Sequence, residues 1–286
     1  MPWDPDEQDR LEELEPLHYD VPPHLHGELW NWIRGVIEPE RSYGINEMLK
    51  IFNVLRKTPP PTSNSSLGVR AGQYRQWFAN YCITPDGMLN TIRAILKHLP
   101  YDHRAKTLEE ILVRGKSGYA VRMDRRGLEF RVHPSAREQV ELAISASPEG
   151  ASKLLTKAWN AAYGMDPRPD DAWSDAFKAT EAILRPIISP EDGDAKLGKM
   201  IGDYDAKPEK WGSCITESRP TFNPDRHTEL DGRETVMQLA RAICYGQKDR
   251  HAAGESANSL EEARAAVTMA VAIAMLCDSG ALRRVA

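Results

Sequence analysis

The sequence predicts a mainly α fold: an N-terminal helical region carrying one β-hairpin, then a C-terminal helical bundle. Three observations support this. Apolar residues recur at three- and four-residue spacing through most of the 286-residue chain, the period that lines one face of an α-helix. Two-residue alternation stands out in one place, "SGYAVRMDRRGLEFRV". Prolines and short polar residues precede several of the apolar runs, where a helix start tolerates or requires them.

The opening "MPWDPDEQDRLEELE" is acidic, reads as a loose arm, and lacks the basic-then-apolar layout of a secretory signal. A helix begins after Pro23, with Leu25, Leu29, Trp32, Ile33 and Val36 on one stripe. Ile45 to Arg56 fits a second helix, and "KTPPPTSNSSLG" reads as a loop. Tyr74 to Tyr81 reads as a helix with two aromatic anchors. Thr84 then offers an N-cap, with Pro85 at the first helical position of a run that closes before Pro100. The hairpin is expected at about 118–132, with Tyr119, Val121 and Met123 on one arm, Leu128, Phe130 and Val132 on the other, and "DRRG" as its turn.

Pro134 starts another helix, and "ASPEGAS" at 146–152 reads as the junction between domains 1–148 and 149–286. Leu154, Leu155, Ala158, Trp159 and Ala162 form the next apolar face, ended by Gly164. "DPRPDD" offers Asp170 or Asp171 as the N-cap of a helix built on Trp173, Phe177, Leu184 and Ile187, stopping around Pro186 to Pro190. A shorter helix fits Ala195 to Tyr204. After an irregular stretch, helices at Glu234 to Tyr245 and Ala263 to Cys277 complete an all-α C-terminal bundle of four or five helices.

Composition narrows the class. A hydrophobic content of 41% with 28% charged residues suits a soluble globular protein. A net charge of −5, with cations and anions intermixed, argues against coating nucleic acid by bulk electrostatics and leaves a local basic groove open. Cys82, Cys214, Cys244 and Cys277 are scattered, with no CxxC pair, as expected of packing cysteines in a reduced compartment. The longest charge-free apolar run lies between Arg264 and Asp278, too short to span a bilayer, so no membrane association and a cytoplasmic location are expected.

No GxGxxG, P-loop, HExxH or GxSxG motif occurs. His24 and His26 in "HLH" could offer two metal ligands, but nothing nearby completes a set. Trp159, Trp173 and Trp211 could stack on bases. Trp159 and Trp173, however, fall on apolar helix faces, where core packing is the better reading. The remaining feature is "YGQKDRHAAGE", Tyr245 to Glu255, which places Gln247, Lys248, Asp249, Arg250 and His251 without interruption between two apolar helices. A solvated turn accounts for such polarity. A site accounts for it too, because histidine moves protons near neutral pH and a permanently charged guanidinium holds a phosphate.

Residues 151–286 resemble a HEPN-type helical domain of the abortive-infection C-terminal kind, found in bacterial defence proteins. The resemblance lies in "DAWSDAFKATEAILRPII" with its acidic Glu181, in "AKLGKMIGDY", and in "GQKDRHAAG…SLEEARAAVTMAVAIAMLC". The N-terminal part resembles actinobacterial or phage-type companions of such domains. The resemblance implies RNA as target and metal-independent cleavage in which the ribose 2′-hydroxyl attacks its own phosphate, with no cofactor. It also implies a homodimer with a composite cleft; engagement of a protein partner by the N-terminal half is a separate expectation that goes with a binding role.

Carried over, the motif histidine is His251. The motif arginine, separated from the histidine by four to six residues, would fall at Gly246, Tyr245 or Cys244, so Arg250 is the candidate phosphate holder instead. Gln247, Lys248 and Asp249 are the candidate substrate-binding residues. The alternative is a non-catalytic dimerisation and partner- or nucleic-acid-binding module that associates through the alanine-rich helix.

Overall fold

The computed structural model describes residues 17–38, 44–61, 65–98, 102–215, 231–246 and 258–285. Among them it is mainly helical, with eleven α-helices and two small antiparallel pairs of strands. The chain divides into two compact units, Met1–Arg131 and Val132–Ala286.

The first unit contains α1 (Pro23–Ile37), α2 (Ile45–Leu55), α3 (Leu67–Tyr81), α4 (Pro85–His98), α5 (Asp102–Arg114) and the hairpin β1 (Tyr119–Val121) and β2 (Leu128–Phe130). The predicted stripe of α1 is buried throughout: Leu25, Leu29, Trp32, Ile33 and Val36. Phe52 of α2 centres an aromatic cluster, with the rings of Tyr74, Trp77 and Phe78 of α3 at 5.5, 4.6 and 4.8 Å. Thr84 caps α4 as expected, its Oγ1 accepting from the Gly87 backbone N–H at 3.1 Å. A Cβ at Gly87 would fall 1.9 Å from the Tyr81 carbonyl oxygen, so the α3–α4 turn admits only glycine there.

Two differences from expectation have local causes. α3 begins at Leu67, inside the expected loop, because Ser66 accepts from the Val69 N–H and caps it. Its first turns expose Leu67 and Val69, so no apolar stripe marks them. α5 occupies a stretch for which the sequence suggested no element. Its core face of Ala105, Leu108, Ile111 and Leu112 is diluted by charged neighbours.

The hairpin pairs Tyr119 with Phe130 and Val121 with Leu128, which keeps the predicted alternation. Its connection is wider than "DRRG": Met123 and Val132 lie outside the strands, and Arg125 takes a left-handed φ of 58°. Arg131 fastens the hairpin to α5, donating to Glu109 at 2.9 Å and to the Tyr119 carbonyl at 2.7 Å.

The second unit holds α6 (Pro134–Ala146), α7 (Glu149–Tyr163), α8 (Pro169–Ile188), α9 (Leu197–Ala206), β3 (Trp211–Gly212), α10 (Gly232–Tyr245), α11 (Leu260–Asp278) and β4 (Arg283–Arg284). Helix directions follow from contacts at their ends. Asn258, just before α11, meets Asp170 at the start of α8, while Arg284 pairs with Trp211, which donates to the Ile187 carbonyl near the end of α8. α8 and α11 are therefore parallel. α10 runs the other way, since its Ile243 meets Trp173, and so does α7, whose Ala162 carbonyl accepts from Arg264. The result is an up-down-up-down bundle of α7, α8, α10 and α11. The α6 helix packs on α7 and α11, and α9 packs on α8 and α10.

α11 is the central helix, touching α6, α7, α8 and α10, which explains its alanines. Ala263, Ala266, Ala270 and Ala274 are buried against neighbours within the unit, where only small side chains admit four helices. Ala270→Leu is expected to cost about 1–3 kcal/mol through overpacking, read as a lower urea midpoint with an unchanged slope.

Two further expectations need correction. The C-terminal bundle is not all α, because β3 and β4 pair antiparallel: Trp211 with Arg284 and Gly212 with Arg283. Neither Asp170 nor Asp171 caps α8. Arg168 holds that position without a side-chain capping bond, and Pro169 starts the helix with its fixed φ.

α10 does have a side-chain cap. Asp231 accepts from the Glu234 backbone N–H at 2.8 Å and also holds the Arg233 guanidinium. Burial pushes the Asp231 carboxyl up, but Arg233 and the backbone N–H groups outweigh it and leave it below the usual carboxylate range. Asp231 therefore contributes stability above the ordinary carboxylate pKa that is lost as pH falls through its lower folded value. Asp231→Ala is expected to lower stability at neutral pH by about 0.5–2 kcal/mol. That difference should shrink in acid denaturation below about pH 4.

Candidate functional site

The five candidate residues Gln247, Lys248, Asp249, Arg250 and His251 lie outside the described residues. Their mounting is described on both sides. On the entering side, the Trp173 indole N–H donates to the Ile243 carbonyl at 3.1 Å, in the last turn of α10. Gly246 follows at the helix end, and a Cβ there would lie 2.8 Å from the Trp173 ring, so only glycine lets the chain leave α10 this close to the indole. On the returning side, the backbone N–H and the side-chain amide of Asn258 both donate to one Asp170 oxygen, at 3.0 and 2.9 Å.

Asp170 and Trp173 are three residues apart on α8, one turn of one helix face. Gly246 and Asn258, the described residues on either side of 247–257, thus both lie against the same end of α8.

Asn258 is 3% exposed, and its Oδ1 has no partner among the described residues. The bonds that hold Asn258 in place are those its backbone N–H and side-chain amide make to Asp170. Ser259 and Glu262 then close a reciprocal capping box that fixes the start of α11.

This end of the bundle mixes charges. Arg168 pairs with Asp171 at 2.5 Å. Burial raises the pKa of Asp175, one turn on, and Lys178 and Lys157 partly offset that rise. Arg264 lies one turn into α11, its guanidinium 5.0 Å from the Tyr163 ring centroid, and Tyr163 stacks on Trp159 at 4.0 Å. The N-termini of α8 and α11 both face this end and favour anions. Asp170, Asp171, Glu261 and Glu262 in their first turns oppose that field. Gly246 and Asn258 therefore stand at an end of the bundle that carries a cation, Arg264, and a row of carboxylates.

The other candidate features take structural roles. Trp159, Trp173 and Trp211 are each at most 5% exposed and pack in the core. His24 and His26 turn to different backbone carbonyls, Gly115 at 3.4 Å and Cys82 at 3.0 Å. Among the described residues no group of three or more His, Cys, Asp or Glu could hold a metal ion. Burial pushes the Cys82 thiol up to about 11 and the Cys277 thiol up to about 12, so both stay protonated near neutral pH. Glu181 is buried in α8, and its Oε1 accepts from the Leu197 N–H at 2.9 Å, where it caps α9. Arg241, the nearest arginine upstream of Arg250, is held by Asp205 at 2.5 Å and Glu234 at 2.9 Å.

The Asp170–Asn258 and Trp173–Ile243 anchors were missed in the sequence. One local signal was present: "SLEE" after Asn258 is a capping-box pattern that places the helix start at Ser259. Among the described residues no helix is long and apolar enough to cross a membrane. Set against models of known families, curated proteins and solved structures, the chain matches none.

Proposed function

We propose that this chain is a HEPN-like protein of bacterial defence, of the abortive-infection kind, which cuts RNA without a metal ion from the segment between α10 and α11. The observation that carries the reading is the mounting on either side of that segment: both flanks are tied to one turn of α8, by a buried and a part-buried hydrogen bond. A solvated turn needs no such anchoring, whereas a site needs fixed geometry. In this reading His251 takes the proton from the ribose 2′-hydroxyl or returns one to the leaving 5′-oxygen. Arg250 stabilises the charge that develops on the phosphate oxygens. Gln247, Lys248 and Asp249 orient the substrate by hydrogen bonds. A homodimer that joins two such segments in one cleft, a partner for the N-terminal unit and a cytoplasmic location belong to the same reading.

The experiment is induced expression in a bacterial host. The native chain is expected to arrest growth and fragment cellular RNA, and the His251→Ala variant is expected to do neither. Equal growth arrest by both chains would contradict the reading.

A second reading, a non-catalytic binding and dimerisation module, is favoured by one observation. No arginine precedes His251 with four to six residues between them, and Arg241 is committed to Asp205 and Glu234. Under it, His251→Ala leaves partner capture intact.

A further inference from the structure

One stretch of the first unit departs from the charge balance of the chain. Between Gly44 and His98 stand seven Lys and Arg residues against two carboxylates, Glu47 and Asp86, in a chain whose net charge is −5. Two of these cations, Arg56 and Lys57, directly follow α2, and both are exposed. Neither forms an ion pair among the described residues. Thr62, Ser63 and Asn64, which adjoin this loop outside the described residues, carry no charge.

Beside these cations lies a column of rings. Trp77 of α3 lies 4.6 Å from the Phe52 ring, and Tyr81, one turn on, stacks on Trp77 at 4.8 Å with the planes 18° apart. Phe52 and Phe78 fill the core, whereas Trp77 and Tyr81 are only half-buried. Lys57 Nζ stands over the Tyr81 ring, 6.0 Å from its centroid. The backbone fixes this arrangement. Arg56 turns the chain with a left-handed φ of 53°, and its N–H donates to the Asn53 carbonyl at 3.1 Å. The Lys57 N–H donates to the Phe52 carbonyl at 3.0 Å, which ties the cation to the residue whose ring starts the column.

We propose that the end of α2 and the Trp77–Tyr81 face of α3 form a docking site for single-stranded RNA, in which a base extends the ring column at Tyr81 while Arg56 and Lys57 hold the neighbouring phosphates. The combination of groups selects this occupant. Phosphates answer the cations and a flat base answers the ring, and a nucleotide strand supplies both together. A duplex keeps its bases paired and stacked, so a single strand is what offers a base face to a protein ring. An acidic peptide or a phospholipid headgroup would engage the cations and leave the rings without a role. The choice of RNA rests on the RNA target proposed above.

The test uses the full chain and a fluorescently labelled 2′-O-methyl single-stranded RNA, which lacks the attacking hydroxyl and is not consumed. Binding is followed by fluorescence anisotropy across a salt series, and thermal melts confirm that each variant folds. Tyr81→Leu is expected to weaken binding about 5–150-fold, the loss of one base–ring stack, and to leave the salt slope unchanged. Tyr81→Phe keeps the ring and is expected to bind as the native chain does. R56Q/K57Q removes two phosphate contacts and is expected to flatten the slope of log K against log salt by about 1.4. Both of its side chains are exposed, so it remains a test where Tyr81→Leu fails to fold.

Native affinity in folded Tyr81→Leu, or an unchanged slope in folded R56Q/K57Q, overturns the site. So does a native chain that binds an RNA duplex as tightly as the single strand. Displacement of the RNA by polyglutamate, with Tyr81→Leu binding like the native chain, also overturns it and marks an acidic protein partner instead. Cleavage of ordinary RNA by a chain whose variants bind normally overturns the site and leaves the nuclease reading standing. Weakened binding in the variants of a chain that cuts no RNA supports the site and sinks the nuclease reading.

Discussion

Replacing His251 by alanine is expected to lower the rate of metal-independent RNA cleavage by a factor of about 10²–10⁴, the usual contribution of a positioned general acid or base. A thermal melt of the variant separates a lost rate from a lost fold. Arg250→Ala is expected to cost about 10²–10³ in the same assay, as loss of one charge-stabilising donor does. Under the proposed function the two losses should not add, since both groups would serve one transition state. Rates are measured in EDTA under single-turnover conditions, so that product release does not mask the chemistry. Equal rates for the native and His251→Ala chains would remove His251 from the mechanism.

The second large effect concerns Trp173. This side chain is 5% exposed and packs under the exit of α10 while its N–H holds the Ile243 carbonyl. Trp173→Ala is expected to destabilise the chain by about 3–5 kcal/mol, the range for emptying a buried aromatic site. Trp173→Phe separates packing from anchoring, since it keeps most of the ring and loses the donor. It should cost about 1–3 kcal/mol, the penalty for a buried carbonyl left without its partner. If the anchor positions the site, Trp173→Phe also lowers cleavage at a temperature where the variant is fully folded. A variant that loses stability and keeps full activity would make Trp173 a packing residue alone.

Elements that bury a clean stripe were readable in the sequence, as α1 shows with Leu25, Leu29, Trp32, Ile33 and Val36. Elements with weak amphipathic contrast were not. The start of α3 depends on one hydroxyl, Ser66, and α5 dilutes its apolar face with charge. The β3–β4 pair joins Trp211 to Arg284 across the whole of α10 and α11, and two-residue strands leave no periodicity to read. The alanines of α11 suited either a dimer surface or a tight core. The structure buries Ala266 and Ala270 among four neighbouring helices, a fact of tertiary packing that composition cannot supply.

The candidate site divides in the same way. The polar run from Gln247 to His251 stood out against the apolar helices around it, and chemistry could be assigned to its residue types. What mounts it could not be read. Asp170 and Asn258 are 88 residues apart, and nothing local marks them as partners. Trp173 was legible as a core residue, but its bond to Ile243 was not, because one side chain gives both a ring for packing and an N–H for anchoring.

The central claim is that the α10–α11 connection cuts RNA through the ribose 2′-hydroxyl. It is tested most directly by incubating the purified full chain, in EDTA, with a labelled single-stranded RNA and with the same sequence as 2′-deoxy strand. The account predicts that the RNA is cut to fragments ending in a 2′,3′-cyclic phosphate and that the deoxy strand stays intact. Cleavage of both strands, cleavage that requires an added divalent metal, or no cleavage of either would contradict it.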